Sequence, residues 1–412
     1  MLSTLYLPVV LFFALGRAVP SPQYRSSACA SSSAPSPSPS GQPSSLTEEE
    51  ISELFDLHEK LVDIPSLSRD EIECATFVDE YLTTLGYYVE KVDVDSGRFN
   101  VFAYPTELKD QGVWPEVLIT SHLDTVPPYI PFERRTKNGT IYHYGRGTVD
   151  AKGAVAPQII AAHSFFQSRT DTPRLGLLFV VGEEIGGDGM KAFAAYAKNV
   201  TFKASIFGEP TEGKLASGHK GSLSVTLNVV GKAAHSAYPW LGINAINYVT
   251  DAVTALNALE PELPASELLG NSTLNVGVIS GGIASNIVPE NANASIAIRV
   301  AEGSPDVIRL QVEEALDPIK QRAVGAGAKF NVTFAPFSNG PVILDTDVPG
   351  LEVAPVFYGT DIPSLPQVEK RYLFGTGTIQ VAHTALEELS QDELVIAAES
   401  YGKILRYLFP DI

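Results

Sequence analysis

Cysteine is almost missing from this 412-residue chain, which has only Cys29 and Cys74. That excludes thiolate metal sites built on paired Cys motifs and a fold stapled by several disulfides. One pairing, Cys29 with Cys74, remains open if the chain enters an oxidising compartment, although Cys29 lies in a Ser/Pro/Ala tract. Basic charge is also scarce. Lys and Arg number 29 against 48 Asp and Glu, a formal net charge of −19, which argues against nucleic acid and anionic membrane surfaces as partners. Long apolar runs are lacking as well. The run at residues 5–15 is short for a membrane span. Gly16 and Ala18 follow it as the small residues signal peptidase accepts, so residues 1–18 read as a cleaved secretory signal. No positive charge precedes the run, which keeps a membrane anchor as the alternative. No internal repeat is present.

What the chain does have is apolar content, 44% of residues, enough for a sizeable core in two or three domains. Residues 19–46 are Ser/Pro-rich and cannot bury enough surface to fold. Sequons at Asn138, Asn199, Asn271, Asn293 and Asn331 are compatible with a glycosylated, secreted protein.

From Thr47 onward the pattern turns regular. Thr47-Glu48-Glu49-Glu50 predicts a helix start, with Ile51, Leu54, Leu57 and Leu61 at helical spacing. A second helix is expected over 73–85, strands over 87–94, 100–104 and 117–120, a helix over 154–166, a strand over 175–181, a helix over 190–197 and a strand over 204–207. Short polar sets end these apolar strands: Ser121-His122-Leu123-Asp124, Gly182-Glu183-Glu184 and Gly208-Glu209. In an open α/β sheet, ligands sit beyond the carboxyl ends of the strands, so these sets converge on one edge. Residues 222–334 then read β-α-β-β-α-β, a ferredoxin-like unit inserted into the first domain. The main domain resumes with an apolar stretch over 351–357, reaches His383 and ends in a helix over 392–408. The expected division is a catalytic domain over 47–217 and 337–412, interrupted by a lid at 218–336.

The stretch Gly145-Arg146-Gly147-Thr148-Val149-Asp150-Ala151-Lys152-Gly153 holds one acid in a glycine-rich loop just before a helix. With the strand-end sets and a distant Ala382-His383-Thr384, it makes an inventory for two metal ions. Imidazole and carboxylate ligands without cysteine suit zinc, with cobalt or manganese as substitutes. Two neighbouring ions need one bridging carboxylate, here assigned to Asp150. His122 and Glu209 would complete one site, Glu184 and His383 the other. Asp124 would orient the His122 ring, and Glu183 is the candidate general base.

Ser121-His-Leu-Asp-Thr-Val-Pro, the 145–153 loop, Gly182-Glu-Glu-Ile-Gly-Gly and Gly208-Glu-Pro-Thr together resemble the zinc exopeptidase and deacylase family that includes glutamate carboxypeptidase, acetylornithine deacetylase, succinyl-diaminopimelate desuccinylase and aminoacylase. The resemblance covers residues 47 to 412. It implies a two-domain α/β fold, with a mixed-sheet catalytic domain and an inserted α+β lid that closes over substrate or pairs two copies into a homodimer. It implies two zinc ions per chain on the ligands named above. Gly231-Lys-Ala-Ala-His235-Ser resembles the family's lid motif, so His235 would polarise the scissile carbonyl, while Asn286 and Arg299 would bind the substrate carboxylate. One departure stands out: where the family has a Pro-Gly or Gly-Gly loop before the last histidine, this chain has Phe374-Gly-Thr-Gly-Thr-Ile-Gln-Val-Ala-His383.

The expected protein is thus a secreted zinc carboxypeptidase acting on a peptide with a free C-terminal carboxylate. An N-acyl-amino-acid deacylase is the near alternative. An aminopeptidase and a catalytically dead binding protein are the remote ones. Glu209 favours the first two, since the resemblance gives aminopeptidases aspartate there. Secretion has a direct check: protein recovered from culture medium should begin shortly after Ala18 on N-terminal sequencing, and an intact Met1 on membrane-bound protein would refute the signal peptide.

Overall fold

The computed structural model describes residues 44–410. The expected signal peptide, most of the Ser/Pro-rich segment and Cys29 lie outside them. Cys74 is buried with a free thiol.

The first helix, Glu48–Asp63, begins where its sequence says it should. The Thr47 side chain accepts from the Glu50 N–H, and the Glu50 carboxylate accepts from the Thr47 N–H, a reciprocal capping box. Its apolar stripe, Leu54, Leu57 and Leu61, is buried against the main core. Helices Ile72–Thr84, Lys152–Gln167 and Gln391–Leu408 share that face. Lys152–Gln167 is apolar nearly all round because it is wedged among the sheet and its helical neighbours, with even Lys152 buried.

These helices cover one face of a six-stranded mixed sheet. In spatial order its strands are Tyr87–Asp95, Arg98–Pro105, Leu175–Val180, Val117–His122, Phe202–Gly208 and Val368–Phe374. The last four run parallel, so their carboxyl ends share one edge. Buried on both sides, the central strands are continuous apolar runs without alternation. Helix Asp188–Tyr196 packs on the opposite face through Met190 and Phe193.

A separate four-stranded antiparallel sheet lies between residues 221 and 334. Its order is Thr273–Gly281, Asn291–Val300, Gly221–Val230, Lys329–Phe334. Helices Ala245–Leu259 and Pro305–Gly325 cover one face. Leu223, Val225, Leu227 and Val229 alternate into that core, while Ser222 and Ser224 point to the other side. The β-α-β-β-α-β order read from the sequence is the order observed, and the α/β fold with an inserted α+β layer stands.

Two features of the main domain were not read from the sequence. The stretch 351–357, where that domain was expected to resume, gives only Val353–Ala354, paired with Leu215–Ala216. Val368–Phe374 takes the place in the sheet. Its polar centre, Glu369-Lys370-Arg371, hid it, and such a pattern is what an edge strand carries. A three-stranded sheet was also missed: Glu133–Lys137, Thr140–Tyr144 and Glu388–Ser390. Its signal was present in Asn138-Gly139, both at positive φ between two short runs, the pattern of a two-residue hairpin.

Candidate active site

The parallel strands deliver the polar sets to one edge. His122 ends its strand almost fully buried. Its Nε2 lies 3.1 Å from Asp150 Oδ1 and 3.7 Å from Glu209 Oε1. On the other side of Asp150, Oδ2 is 3.3 Å from His383 Nε2, which is itself 2.9 Å from Glu184 Oε1. Asp150 therefore stands between two imidazoles, each with a further glutamate. His383 holds its place with φ 61, a left-handed backbone unusual for a non-glycine residue.

Asp124 sits beneath this group, fully buried. Its Oδ1 accepts the Glu183 N–H at 2.9 Å, and its Oδ2 accepts the Glu184 N–H at 3.2 Å and the Ser68 hydroxyl at 2.9 Å. The same side chain is 3.5 Å from His122 Nδ1, while that nitrogen also meets the Asp124 carbonyl oxygen at 2.9 Å. Asp124 thus ties the His122 ring to the turn carrying both glutamates. That turn needs Gly182 at φ 73, where a side chain would run into the Arg98 guanidinium. Arg98 in turn is held in a bidentate pair with buried Glu71, at 2.8 and 2.7 Å.

The electrostatics of the cluster are lopsided. Burial pushes the carboxyls of Glu183 and Glu209 well above the usual range, and Glu184 upward too. Burial opposes charge on His122, yet its bonds to Asp124 and Asp150 hold the ring well above the usual imidazole value. His383 is pushed up to about 10 by its bonds to Asp150 and Glu184. Buried carboxylates crowd around the two imidazoles with no lysine or arginine paired to them among the described residues. Oxygen and imidazole donors in such an excess of negative charge are a fit for divalent cations. Ligand atoms of His122, Asp150 and Glu184 lie within 4.8 Å of one another, as do those of His122, Glu183 and Glu209. Glu183 therefore reaches His122 and Glu209 as well as the cavity.

The cluster opens into a cavity of about 610 Å³ between the two sheets. Its floor carries Asp150, Glu183, Glu184, Glu209 and His383; its roof carries Ser222, Ser224 and Arg299 from the inserted sheet. Arg299 has no hydrogen bond or ion pair among the described residues, so its guanidinium is available to a ligand carboxylate. His235 and Asn286 do not line this cavity. They lie together on an exposed part of the inserted layer, where the Ser236 N–H donates to the Asn286 carbonyl and the His235 ring accepts from the Ala237 N–H.

Sequence reading passed over several residues here. Asp361 lines the cavity, and burial raises its carboxyl to about 7; its Oδ2 has no partner among the described residues. The set Gly359-Thr360-Asp361 resembles the other short polar sets and could have been found that way. His219 is buried and bonds Thr360 at 3.1 Å. His58 and His143 are buried and have a structural role. The Gln391 amide donates to His143 Nε2 at 3.1 Å, His143 Nδ1 meets His58 Nδ1 at 2.8 Å, and His58 Nε2 reaches the Thr148 carbonyl at 3.1 Å. With both rings neutral, every nitrogen in this chain is satisfied, and its end is the loop that carries Asp150.

Comparisons with known proteins fit this geometry. Residues 217–323 match a family model described as a peptidase dimerisation domain. A probable carboxypeptidase of Aspergillus niger is 43% identical over 380 residues, covering 86% of this chain and 89% of the relative. Another from Uncinocarpus reesii is 42% identical over 395 residues, covering 86% of each. Among solved structures, a tripeptidase from Staphylococcus aureus superposes with a TM-score of 0.70 at 21% identity, over 86% of this chain and 97% of that one. A metallo-carboxypeptidase from Sulfolobus solfataricus gives 0.66 at 20%, over 88% and 99%. At these identities the superpositions speak for the fold alone.

The histidine pair predicts an acid limb of stability. Burial, with Arg134 nearby and Asp56 opposing, lowers His143 to about 4. Burial, with His143 and Lys152 nearby, lowers His58 well below its usual value. Unfolded, both take a proton near pH ~6.5, whereas the folded pair refuses it, so stability is intact above that pH and is lost as pH falls toward 4. Urea unfolding at steps from pH 7 to 4 should show this decline, and His143→Phe should be less stable but with a flatter pH slope. An unchanged slope in the variant would show that the pair does not titrate with folding.

Proposed function

Because the chain belongs to the M20 peptidase family, and is therefore a hydrolase of the peptidase class, we propose that it is a metal-dependent carboxypeptidase releasing the C-terminal residue of a peptide. The observation that carries this reading is Asp150 standing between His122–Glu209 and His383–Glu184, beneath a cavity whose roof presents an unpaired Arg299. His122 with Glu209, and His383 with Glu184, would each hold one zinc ion, with Asp150 shared. When bound, such ions act as Lewis acids on the scissile carbonyl and lower the pKa of attacking water.

The chain's own groups do the rest. Arg299 takes the substrate's terminal carboxylate through its planar fork of donors, which sets the peptide's polarity in the cavity. Glu183, at the cavity floor, accepts the proton of the attacking water and delivers it to the leaving amine. Asp124 keeps Glu183 and Glu184 in register through their backbone N–H groups. The inserted layer excludes bulk water from above. A working place outside the cell is supported by the apolar run at residues 5–15 and by exposed sequon asparagines at 138, 199, 271 and 331.

His235 and Asn286 call for a second element. Their proposed contact with substrate requires either that the lid swing down or that a partner chain bring its own lid across. The match to a dimerisation domain and the exposed Trp240, Val278, Ile279 and Ile283 on this layer favour a homodimer.

Three experiments test these readings. Glu183→Gln should keep zinc and fold while kcat falls on the order of 10²–10⁴-fold with KM little changed, whereas Glu184→Ala should lose metal and activity together. If Glu183→Gln instead loses a metal that excess zinc restores, Glu183 is a ligand. N-blocked dipeptides assayed beside N-acetyl amino acids separate the carboxypeptidase from a deacylase. Co-expressing His235→Ala with Glu183→Gln, each inactive alone, should restore about a quarter of wild-type turnover if His235 serves the partner's site in a twofold dimer. No recovery would place His235 on its own chain's substrate.

A further inference from the structure

We propose that Glu387 is the positioning residue of the metal cluster: its buried carboxylate gathers the backbone N–H groups of Gly147, Val149 and Asp150 and so sets where Asp150 and His383 stand relative to each other. The inference rests on the metal reading of the site above.

The loop from Gly145 to Asp150 lies outside helix and strand, and its N–H groups are buried, so each needs an acceptor. Three of the six find the same one. Glu387 Oε1 accepts from the N–H groups of Gly147 at 3.0 Å, Val149 at 3.1 Å and Asp150 at 3.1 Å. Its other oxygen takes Arg146 Nη1 at 2.5 Å. Glu387 has no solvent exposure and Arg146 almost none. Backbone N–H groups converging on one anion form a nest, and the negative charge makes each bond stronger than a neutral one. Here the anion is a side chain of the protein itself, supplied from 237 positions away in sequence.

Register brings it there. Strand Glu388–Ser390 pairs with Thr140–Tyr144, with Glu388 opposite Tyr144. The residues just outside that pair are Glu387 and Gly145, and the Gly145 N–H donates to the Glu387 carbonyl at 3.2 Å. The small sheet thus clamps the segment that follows His383 against the loop that precedes Asp150. Arg146 adds a second tie, since its Nη1 also reaches the Thr384 carbonyl at 3.2 Å, one residue past His383. One carboxylate therefore bonds directly to the backbone of Asp150 and indirectly to the neighbour of His383. Those are the two side chains that meet at 3.3 Å in the cluster. Glu387 itself does not line the cavity, and it meets Asp150 only through the backbone N–H.

A residue in this place could serve stability alone, so the test must read the metal site and not only the fold. Full-length Glu387→Gln and Glu387→Asp are compared with wild type. Gln keeps one accepting oxygen but turns a donating N–H₂ toward either the N–H trio or Arg146, and Asp keeps the charge but is a methylene too short. Zinc affinity is measured by competition with a chromophoric chelator, folding by circular dichroism, and geometry by the visible spectrum of the cobalt-loaded protein. The expected result is folded variants whose zinc dissociation constant rises about 10–100-fold and whose cobalt bands shift. Zinc affinity and cobalt bands equal to wild type in either folded variant would overturn the proposal, leaving Glu387 a stability residue. A wild-type chain that binds no zinc would overturn the metal reading itself, an outcome visible before any variant is made.

Discussion

Buried negative charge is the constraint around which this molecule is arranged. Two carboxylates about 4 Å apart repel by about 4 kcal/mol at an effective dielectric of about 20. Here Asp150, Glu184 and Glu209 crowd into one water-poor floor with Glu183 and Asp361 beside them. Hydrophobic association could not hold them there. What does is a scaffold that fixes the backbone rather than the side chains: parallel strands that end together, Asp124 accepting two successive N–H groups, and a left-handed residue at His383. The strain and repulsion stored at the floor are supportable because the helices behind the sheet form one continuous apolar core.

Much of this was legible in the sequence, for a physical reason. Strand-end polar sets follow from geometry: a parallel strand buried on both faces must be apolar throughout, so the first polar residues after it mark the sheet's edge. His122, Glu183, Glu184 and Glu209 were found that way, and all four lie at the cavity floor or against it. Thr47 announced its helix because a capping box is a local interaction. Val368–Phe374 was hidden because an edge strand carries polar residues that local pattern cannot tell from a loop. Asp361 had a local signal, Gly359-Thr360-Asp361, that was passed over, whereas the His58–His143 pair was invisible because its meaning lies in partners remote in sequence. Nothing about His143 suggests that its neighbour is His58 until both are placed in three dimensions.

The inserted layer has a different logic from the catalytic one. Its sheet alternates cleanly, apolar toward two helices and polar toward the cavity, so the same strands that build its core also present Ser222, Ser224 and Arg299 to the cavity. Changing the exposed side of such a sheet leaves its core intact. Substrate preference in this architecture can therefore drift on the roof while the floor, whose residues depend on one another, stays fixed.

The placement of Val368–Phe374 has a consequence for how the chain is made. This strand pairs with Phe202–Gly208, yet the whole inserted layer is synthesised between them. A ribosome would release a foldable inserted layer while the main sheet still lacked its last strand, and His383 would follow only near the end. Long-range pairing of this kind is slow and leaves an open, apolar sheet edge exposed meanwhile. The order of events is thus written into the topology: the inserted layer can mature first, the sheet closes late, and the candidate metal floor cannot exist until nearly the whole chain has emerged. Termination between residues 374 and 383 would leave the completed sheet and the floor's acids without their second imidazole.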